Sequence, residues 1–493
     1  MIIKKMTHMF KSVFLQSSAL ISSLSLLFSC SSGDATVWTT TFDKSKEFEK
    51  TIVHPGGKAG DSSIPSISLT DKTFQSVDGF GLAITQASCH VLLQMKPEDR
   101  HSLLTEMFSP VDGAGSSLVR VCIGGSDFSM DEYTWWDTPG KENLKVHESE
   151  YKYLFPVLDE IYAINPDLQI IGSPWSCPRW MKVDPDDPSK PFDSWTSGRL
   201  NPECYGDYAD LFVKWVKEME ARGYHVMAVT PQNEPLHKGN SMSLYMPWQD
   251  ERDFVKVLGP RFKEAGLSTR ILVFDHNYDY DGHEDQAQYP LRIYANPEAS
   301  AYVSGSAWHN YRGNVSELDD IHAAAPDKDI YFTEASIGTW NYRGENAFGR
   351  RFSAEMRDIF LGTLSRYCKG VVLWNLILDN EGKPNRGEAG GCATCLGGAS
   401  IDSSSWTLES VVRNSHWYEV LHCSVAIKPG AVRIGTEGFE EEGITYLAFR
   451  NPDGSIAVVC LNSTRSDRTV AIRLGRRPVN VSFPARSVVS VVI

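Results

Sequence analysis

The chain has 493 residues, with 48 Lys+Arg against 62 Asp+Glu and a formal net charge of −14. That balance excludes a nucleic-acid-binding protein, which needs a basic surface to displace counterions, and 42% hydrophobic against 22% charged residues excludes a disordered chain. The 13 Trp, 19 Tyr and 22 Phe are the unusual feature; they serve either as core or as flat platforms for a molecule with a broad apolar face, such as a sugar.

In chain order the first element is not part of the fold. Residues 1–29 carry Lys4, Lys5 and Lys11, no acidic residue, and then a Ser-diluted apolar run ending at Leu27-Phe28. This pattern predicts a signal peptide. Leu27-Phe28-Ser29-Cys30 resembles a bacterial lipobox, whose cysteine becomes the lipidated first residue of the mature protein. The expectation is an exported lipoprotein, lipid-anchored in the bacterial outer membrane or at the cell surface, with periplasmic or secreted forms as alternatives. Removing three lysines takes the charge to about −17, so the lipid and not surface charge would hold the protein at an anionic membrane. The nine cysteines beyond Cys30 are odd in number and irregularly spaced, which does not make a disulfide framework. Cys392-Ala-Thr-Cys395 is a lone CxxC, read as a local disulfide or two free thiols in preference to a zinc site.

Residues 30–75 contain extended segments such as Val37–Phe42 and are expected to add strands to a terminal sandwich. From 76 to 420, short β-branched runs alternate with amphipathic segments. The predicted strands are Gly79–Ala83, Leu118–Ile123, Leu168–Gly172, Val226–Thr230, Ile271–Phe274, Ala301–Trp308, Ile330–Thr333 and Val371–Trp374. Before the fourth, Tyr208, Leu211, Phe212, Trp215, Val216 and Met219 fall on one helical face and Gly223 stops the helix. Eight strand–helix units predict an α/β fold, a (β/α)8 TIM barrel. After residue 421 the period becomes two. Ile444–Arg450 and Ser455–Leu461 flank the turn signal Asn451-Pro452-Asp453-Gly454, with further strands over Thr469–Leu474 and Val479–Ile493. The expected second domain, 421–493, is an antiparallel β-sandwich.

A barrel of this kind places its active site at the C-terminal strand ends. There the chain presents Gly124–Ser129, Ser173-Pro174-Trp175-Ser176, Gln232-Asn233-Glu234-Pro235, Trp308-His309-Asn310-Tyr311, Glu334-Ala335 and Trp374-Asn375. Glu234 and Glu334 end strands four and seven, which face one another across a closed barrel. Glycosidic hydrolysis needs such a pair, one carboxylic acid to protonate the departing oxygen and one carboxylate to attack the anomeric carbon or activate water. Asp275, His276 and Asp279 follow strand five and are read as loop hydrogen-bonding groups, not metal ligands.

Ser173–Trp180, Asn233-Glu234-Pro235, Thr333-Glu334-Ala335, Trp374-Asn375-Leu376 with Glu381–Asn385, Arg120-Val121 leading to Asp127-Phe128-Ser129, and Lys428–Gly435 together resemble glycoside hydrolase family 30, the glucosylceramidase family. The resemblance implies a retaining β-glycosidase with Glu234 as acid/base and Glu334 as nucleophile, no cofactor and no metal. It implies that Asn233 binds the sugar 2-hydroxyl, that Asp127 and Trp175 bind glucosyl hydroxyls, and that Trp374 gives the sugar an aromatic wall. Arg120, His309 and Tyr311 are expected around Glu334. Plainer readings stay open: Asp127 as a loop cap, the two tryptophans as core, His309 as a structural histidine. Ser126, Asn310 and the Asp379-Asn380 and Cys392/Cys395 loop depart from the animal lysosomal pattern on the aglycone side. The expected substrates are therefore β-1,6-glucan or a glucosylceramide-type glucoside. The alternatives are a β-xylosidase or xylanase of the same wider family and a non-catalytic surface glycan-binding lipoprotein. Oligomeric state is not legible.

Overall fold

The computed structural model describes residues 33–56, 64–340, 342–344, 346–386, 391–474 and 477–493. The segment read as a signal peptide, and Cys30 read as its lipidation site, lie outside these residues. Three strands come first: β1 (Ala35–Thr41), β2 (Glu49–Val53) and β3 (Ser66–Val77). Eight follow as β4 (Gly79–Ile84), β5 (Leu118–Cys122), β6 (Gln169–Ser173), β7 (His225–Val229), β8 (Arg270–Asn277), β9 (Val303–His309), β10 (Asp329–Glu334) and β11 (Cys368–Leu373). They form a closed parallel barrel in sequence order, sealed where Gly370 and Val371 of β11 pair with Gly79 and Phe80 of β4. These are the eight predicted strands, shifted by a few residues at their ends.

The barrel interior follows the period of two that every strand imposes. A lower interior layer holds Leu118, Ile171, Ala228, Leu272, Ala307, Tyr331 and Val372. Gly81 stands where β4 would contribute, because a Cβ there would lie 1.7 Å from the Leu118 carbonyl oxygen. Two residues further along, the side chains return to the interior and the chain turns polar: Arg120, Ser173, Thr230, His309 and Thr333, with Trp374 after β11. These residues are all buried.

Strand β8 breaks the count. Two residues after Leu272 comes Phe274, which packs outward into the aromatic set of Tyr280, Tyr289 and Trp308. The register against β9 slips between Phe274 and His276, and Phe274 and Asp275 take φ of +80° and +58°. The bulge turns Asp275 inward in Phe274's place. The Phe274 N–H donates at 3.1 Å to the carboxylate of Glu251, on the helix Trp248–Glu264. Burial pushes the Glu251 carboxyl up to about 8. The strand predicted to stop at Phe274 thus runs to Asn277, since its polar end is held by buried partners.

The predicted helix spans Tyr205–Ala221 and buries the six residues named for its inner face. Six strands follow the barrel: β12 (Ala431–Gly438), β13 (Ile444–Arg450), β14 (Ile456–Asn462), β15 (Arg468–Leu474), β16 (Arg477–Phe483) and β17 (Ser487–Val492). With β1–β3 they make a nine-stranded β-sandwich sheet in the order β2-β1-β17-β14-β13-β12-β3-β15-β16. The β13–β14 hairpin turns on Gly454, at φ +88°. The run Val479–Ile493 divides into β16 and β17 at Pro484-Ala485-Arg486, where Arg486 takes a φ of +50°. Val458, Cys460, Val489 and Val491 face the sandwich core, whereas the alternating Val459, Leu461 and Val488 face the barrel.

Between barrel and sandwich lies the helix Ser415–Ala426, buried along its whole length and spanning the junction predicted near residue 420. Its His422 sits with Nδ1 2.9 Å from Ser490 Oγ and Nε2 2.9 Å from Thr40 Oγ1. Ser490 Oγ also lies 2.9 Å from the His422 carbonyl oxygen and donates its hydrogen there, so Nδ1 donates and Nε2 accepts, which defines a neutral imidazole. Burial holds its pKa down to about 3. A folded pKa below the unfolded value of roughly 6.5 gives stability that is full above 6.5 and lost as pH falls toward 3, at about 1.4 kcal/mol per pH unit per proton. Urea midpoints measured from pH 6.5 to 4 are expected to fall less steeply in His422→Gln than in wild type; an unchanged slope would remove this histidine from acid sensitivity.

Candidate active site

The polar layer meets around Asp275. Its Oδ2 accepts hydrogen bonds from Arg120 Nη2 at 2.7 Å, Ser173 Oγ at 2.8 Å and Thr230 Oγ1 at 2.7 Å. Oδ1 accepts from Thr333 Oγ1 at 2.6 Å and faces His309 Nε2 at 3.1 Å. Four strands besides its own are tied to one carboxylate. Burial opposes the charge, but Arg120 and His309 hold the Asp275 carboxyl well below the usual range.

Arg120 carries the network to both glutamates. Its Nη1 donates to Glu334 Oε2 at 2.5 Å and its Nη2 to Asn233 Oδ1 at 2.6 Å. The guanidinium carbon lies 4.8 Å from the Trp175 ring centre and 5.7 Å from that of Trp374. The two indoles stack at 4.9 Å. Each is only 2% exposed, so they brace Arg120 as part of the buried wall.

Glu334 ends β10, with Oε1 accepting from the Tyr311 hydroxyl at 3.0 Å. Glu234 lies in the turn after β7 at φ +44°, its N–H donating to the Asp275 carbonyl at 3.0 Å. The neighbouring Asn233 N–H donates to the Pro174 carbonyl at 2.8 Å, and together these bonds fix a strained turn. Glu234 Oε1 is 3.1 Å from His309 Nδ1 and 3.8 Å from His276 Nδ1, and His276 Nε2 is 3.2 Å from Asp281 Oδ2.

These contacts set the protonation. Burial favours the neutral form of His309, but Glu334, Asp275 and Glu234 outweigh it and raise its pKa to about 9. Burial also raises Glu234, yet the His309 hydrogen bond and the charges of His276 and His309 hold it well below the ordinary carboxyl range. Burial pushes Glu334 up, with His309 and Arg120 pulling it back. In the open cleft the imidazole pair thus holds Glu234 down while burial holds Glu334 up, the opposite of what acid duty at Glu234 requires.

Asp127, Glu234, Tyr311 and Glu334 line one cleft of about 390 Å³, whose rim includes Trp340 and Cys392. Asp127 Oδ1 is buried without a hydrogen-bond partner among the described residues. Burial and the two glutamates push that carboxyl well up. Tyr311 and Trp340 are 40% and 39% exposed. Cys392 and Cys395 form a disulfide, one of the two states left open by the sequence.

The sequence-named Arg120, Asp127, Asn233, Glu234, His309, Tyr311 and Glu334 therefore converge, with Trp175 and Trp374 behind Arg120, whereas Trp308 packs outward against Phe274. Missed were Asp275 and His276, read as loop groups, and the supporting Ser173, Thr230, Thr333 and Glu251. Counting two residues past each interior apolar residue finds the three hydroxyls; no local signal announces the bulge.

Comparison with known proteins agrees with this geometry. Residues 77–390 match the glycosyl hydrolase family 30 TIM-barrel domain and residues 430–491 the glycosyl hydrolase family 30 beta sandwich domain. The solved structure of the endo-beta1,6-glucanase BT3312 superposes with a TM-score of 0.89 at 47% identity, covering 93% of this chain and 99% of that one. Endo-1,6-beta-D-glucanase neg1 of Aspergillus fumigatus is 29% identical over 448 residues, 86% of each chain. Putative glucosylceramidase 4 of Caenorhabditis elegans is 27% identical over 458 residues, 87% of this chain and 82% of that protein. The chain belongs to glycosyl hydrolase family 30, with both of the family's domains, and is a β-glycosidase.

Proposed function

We propose that the protein is a retaining endo-β-1,6-glucanase with Glu334 as nucleophile and Glu234 as acid/base. The observation that carries this reading is the pair of glutamates opening onto one cleft with opposite partners: hydrogen-bond donors grip Glu334, and an imidazole able to give or take a proton faces Glu234.

Arg120 and Tyr311 both donate to Glu334, which keeps it anionic and aimed while its ester forms at C1. The departing glucosyl oxygen takes its proton from Glu234. In the open cleft that proton rests on the imidazole side. A sugar seated in the cleft expels water, and a less polar surrounding favours a neutral imidazole–carboxylic acid pair over an imidazolium–carboxylate pair, so the proton moves across the 3.1 Å contact from His309 to Glu234. Ester formation removes the charge of Glu334, and Glu234, again a carboxylate, takes a proton from water as the water attacks C1 and frees Glu334. Asn233, its Oδ1 held by Arg120, offers its Nδ2–H to a sugar hydroxyl, and the unpartnered Oδ1 of Asp127 is open to another.

The linkage rests on the likeness to the endo-β-1,6-glucanases BT3312 and neg1 and on the cleft itself, whose exposed Tyr311 and Trp340 suit the apolar faces of a neutral chain. The test is a panel of β-1,6-glucan, β-1,3-glucan, xylan, glucosylceramide and an aryl β-glucoside with products sized by chromatography. A ladder of oligosaccharides from β-1,6-glucan is expected. Glucose alone would overturn endo action, and turnover confined to xylan or glucosylceramide would overturn the linkage.

A further inference from the structure

Away from the cleft, the helix Ala347–Glu355 meets the interface helix Ser415–Ala426, and Glu355, His416 and Glu419 converge there. His416 and Glu419 stand three residues apart on one helical face; Glu355 closes the other helix. One ligand-type atom from each lies within 4.8 Å of the other two. His416 and Glu419 are fully buried. Yet neither imidazole nitrogen has a hydrogen-bond partner among the described residues, and the Glu419 carboxyl meets only that of Glu355. Buried polar atoms without partners are costly, and an imidazole with both nitrogens bare beside two carboxyls favours an occupant.

His416 Nε2 and Glu355 Oε2 are 3.7 Å apart, too far for a hydrogen bond. Two ligands each about 2.0–2.2 Å from one tetrahedral ion stand roughly 3.4 Å apart. One imidazole and two carboxylates are a donor set that suits zinc. Ser415 Oγ donates to Glu355 Oε2 at 2.9 Å and orients that carboxylate, as supporting groups do around metal ligands. With both ring nitrogens bare, His416 has a lone pair free to ligate. Arg351 pulls both carboxyls down but does not neutralise two of them.

We propose that Glu355, His416 and Glu419 form a structural divalent-metal site of the zinc class, which pins the helix following β10 to the helix between the two domains. Glu234, His276 and His309 also cluster, but that group belongs to the cleft.

The full chain, stripped with EDTA, reloaded with Zn2+ and desalted, is analysed for bound zinc by mass spectrometry. Stoichiometric zinc is expected in the wild type and in Glu234→Gln, and background zinc in Glu419→Gln and His416→Gln. Zinc is expected to raise the wild-type Tm by about 5 °C and to leave that of Glu419→Gln unchanged. Wild-type protein that retains no zinc would overturn the proposal, leaving a proton-sharing carboxyl pair; so would zinc that Glu234→Gln removes and Glu419→Gln does not. Should either variant fail to fold, the wild-type stoichiometry and Tm shift still decide.

Discussion

Glu334→Gln is expected to lower kcat on β-1,6-glucan by on the order of 10⁵-fold, with the far-UV circular dichroism of the wild type retained. Glutamine keeps the shape of the side chain but cannot form the ester at C1. Arg120 loses one counter-charge and keeps Asp275 and the Asn233 side-chain oxygen, so the fold survives. The loss falls in kcat, since the residue acts after the sugar is seated. Activity within about tenfold of wild type would remove Glu334 from the chemistry.

Asp275→Asn is expected to cost the fold about 3–5 kcal/mol, the range seen when one partner of a buried ion pair is removed. Five donors converge on this carboxylate. An asparagine amide would turn a donor toward one set of them, leave Arg120 short of an anion, and withdraw part of the charge that raises His309. Urea unfolding measures the first effect. The pH profile measures the second, because a purely structural role would weaken the fold without moving the limb set by His309. A stability loss below about 1 kcal/mol would show that water substitutes for the carboxylate, and the network would not be the organising feature described above.

Much of this is legible in the sequence. The eight barrel strands announce themselves as β-branched runs because parallel strands covered on both faces are apolar throughout. Glu234 and Glu334 were found because a strand of fixed handedness delivers the residue after its apolar run to the same rim. What sequence could not give follows from non-local causes. Asp275 faces inward because a bulge displaces Phe274, and the bulged Phe274 N–H is held by Glu251, a buried carboxyl on a different element. Trp175 and Trp374 look like platforms in sequence, yet they stack on each other, since Arg120 needs a wall. The interface helix Ser415–Ala426 is invisible to amphipathic analysis, because barrel and sandwich bury it all round and leave no polar face. The Glu355, His416 and Glu419 cluster was hidden for the same reason.

The most direct test of the two-glutamate mechanism is proton NMR of the first reducing ends released from β-1,6-glucan. Two inversions at C1 through a Glu334 ester predict that the β-anomer appears first and then mutarotates. An α-anomer formed first would mean a single displacement by water and would contradict a nucleophilic Glu334.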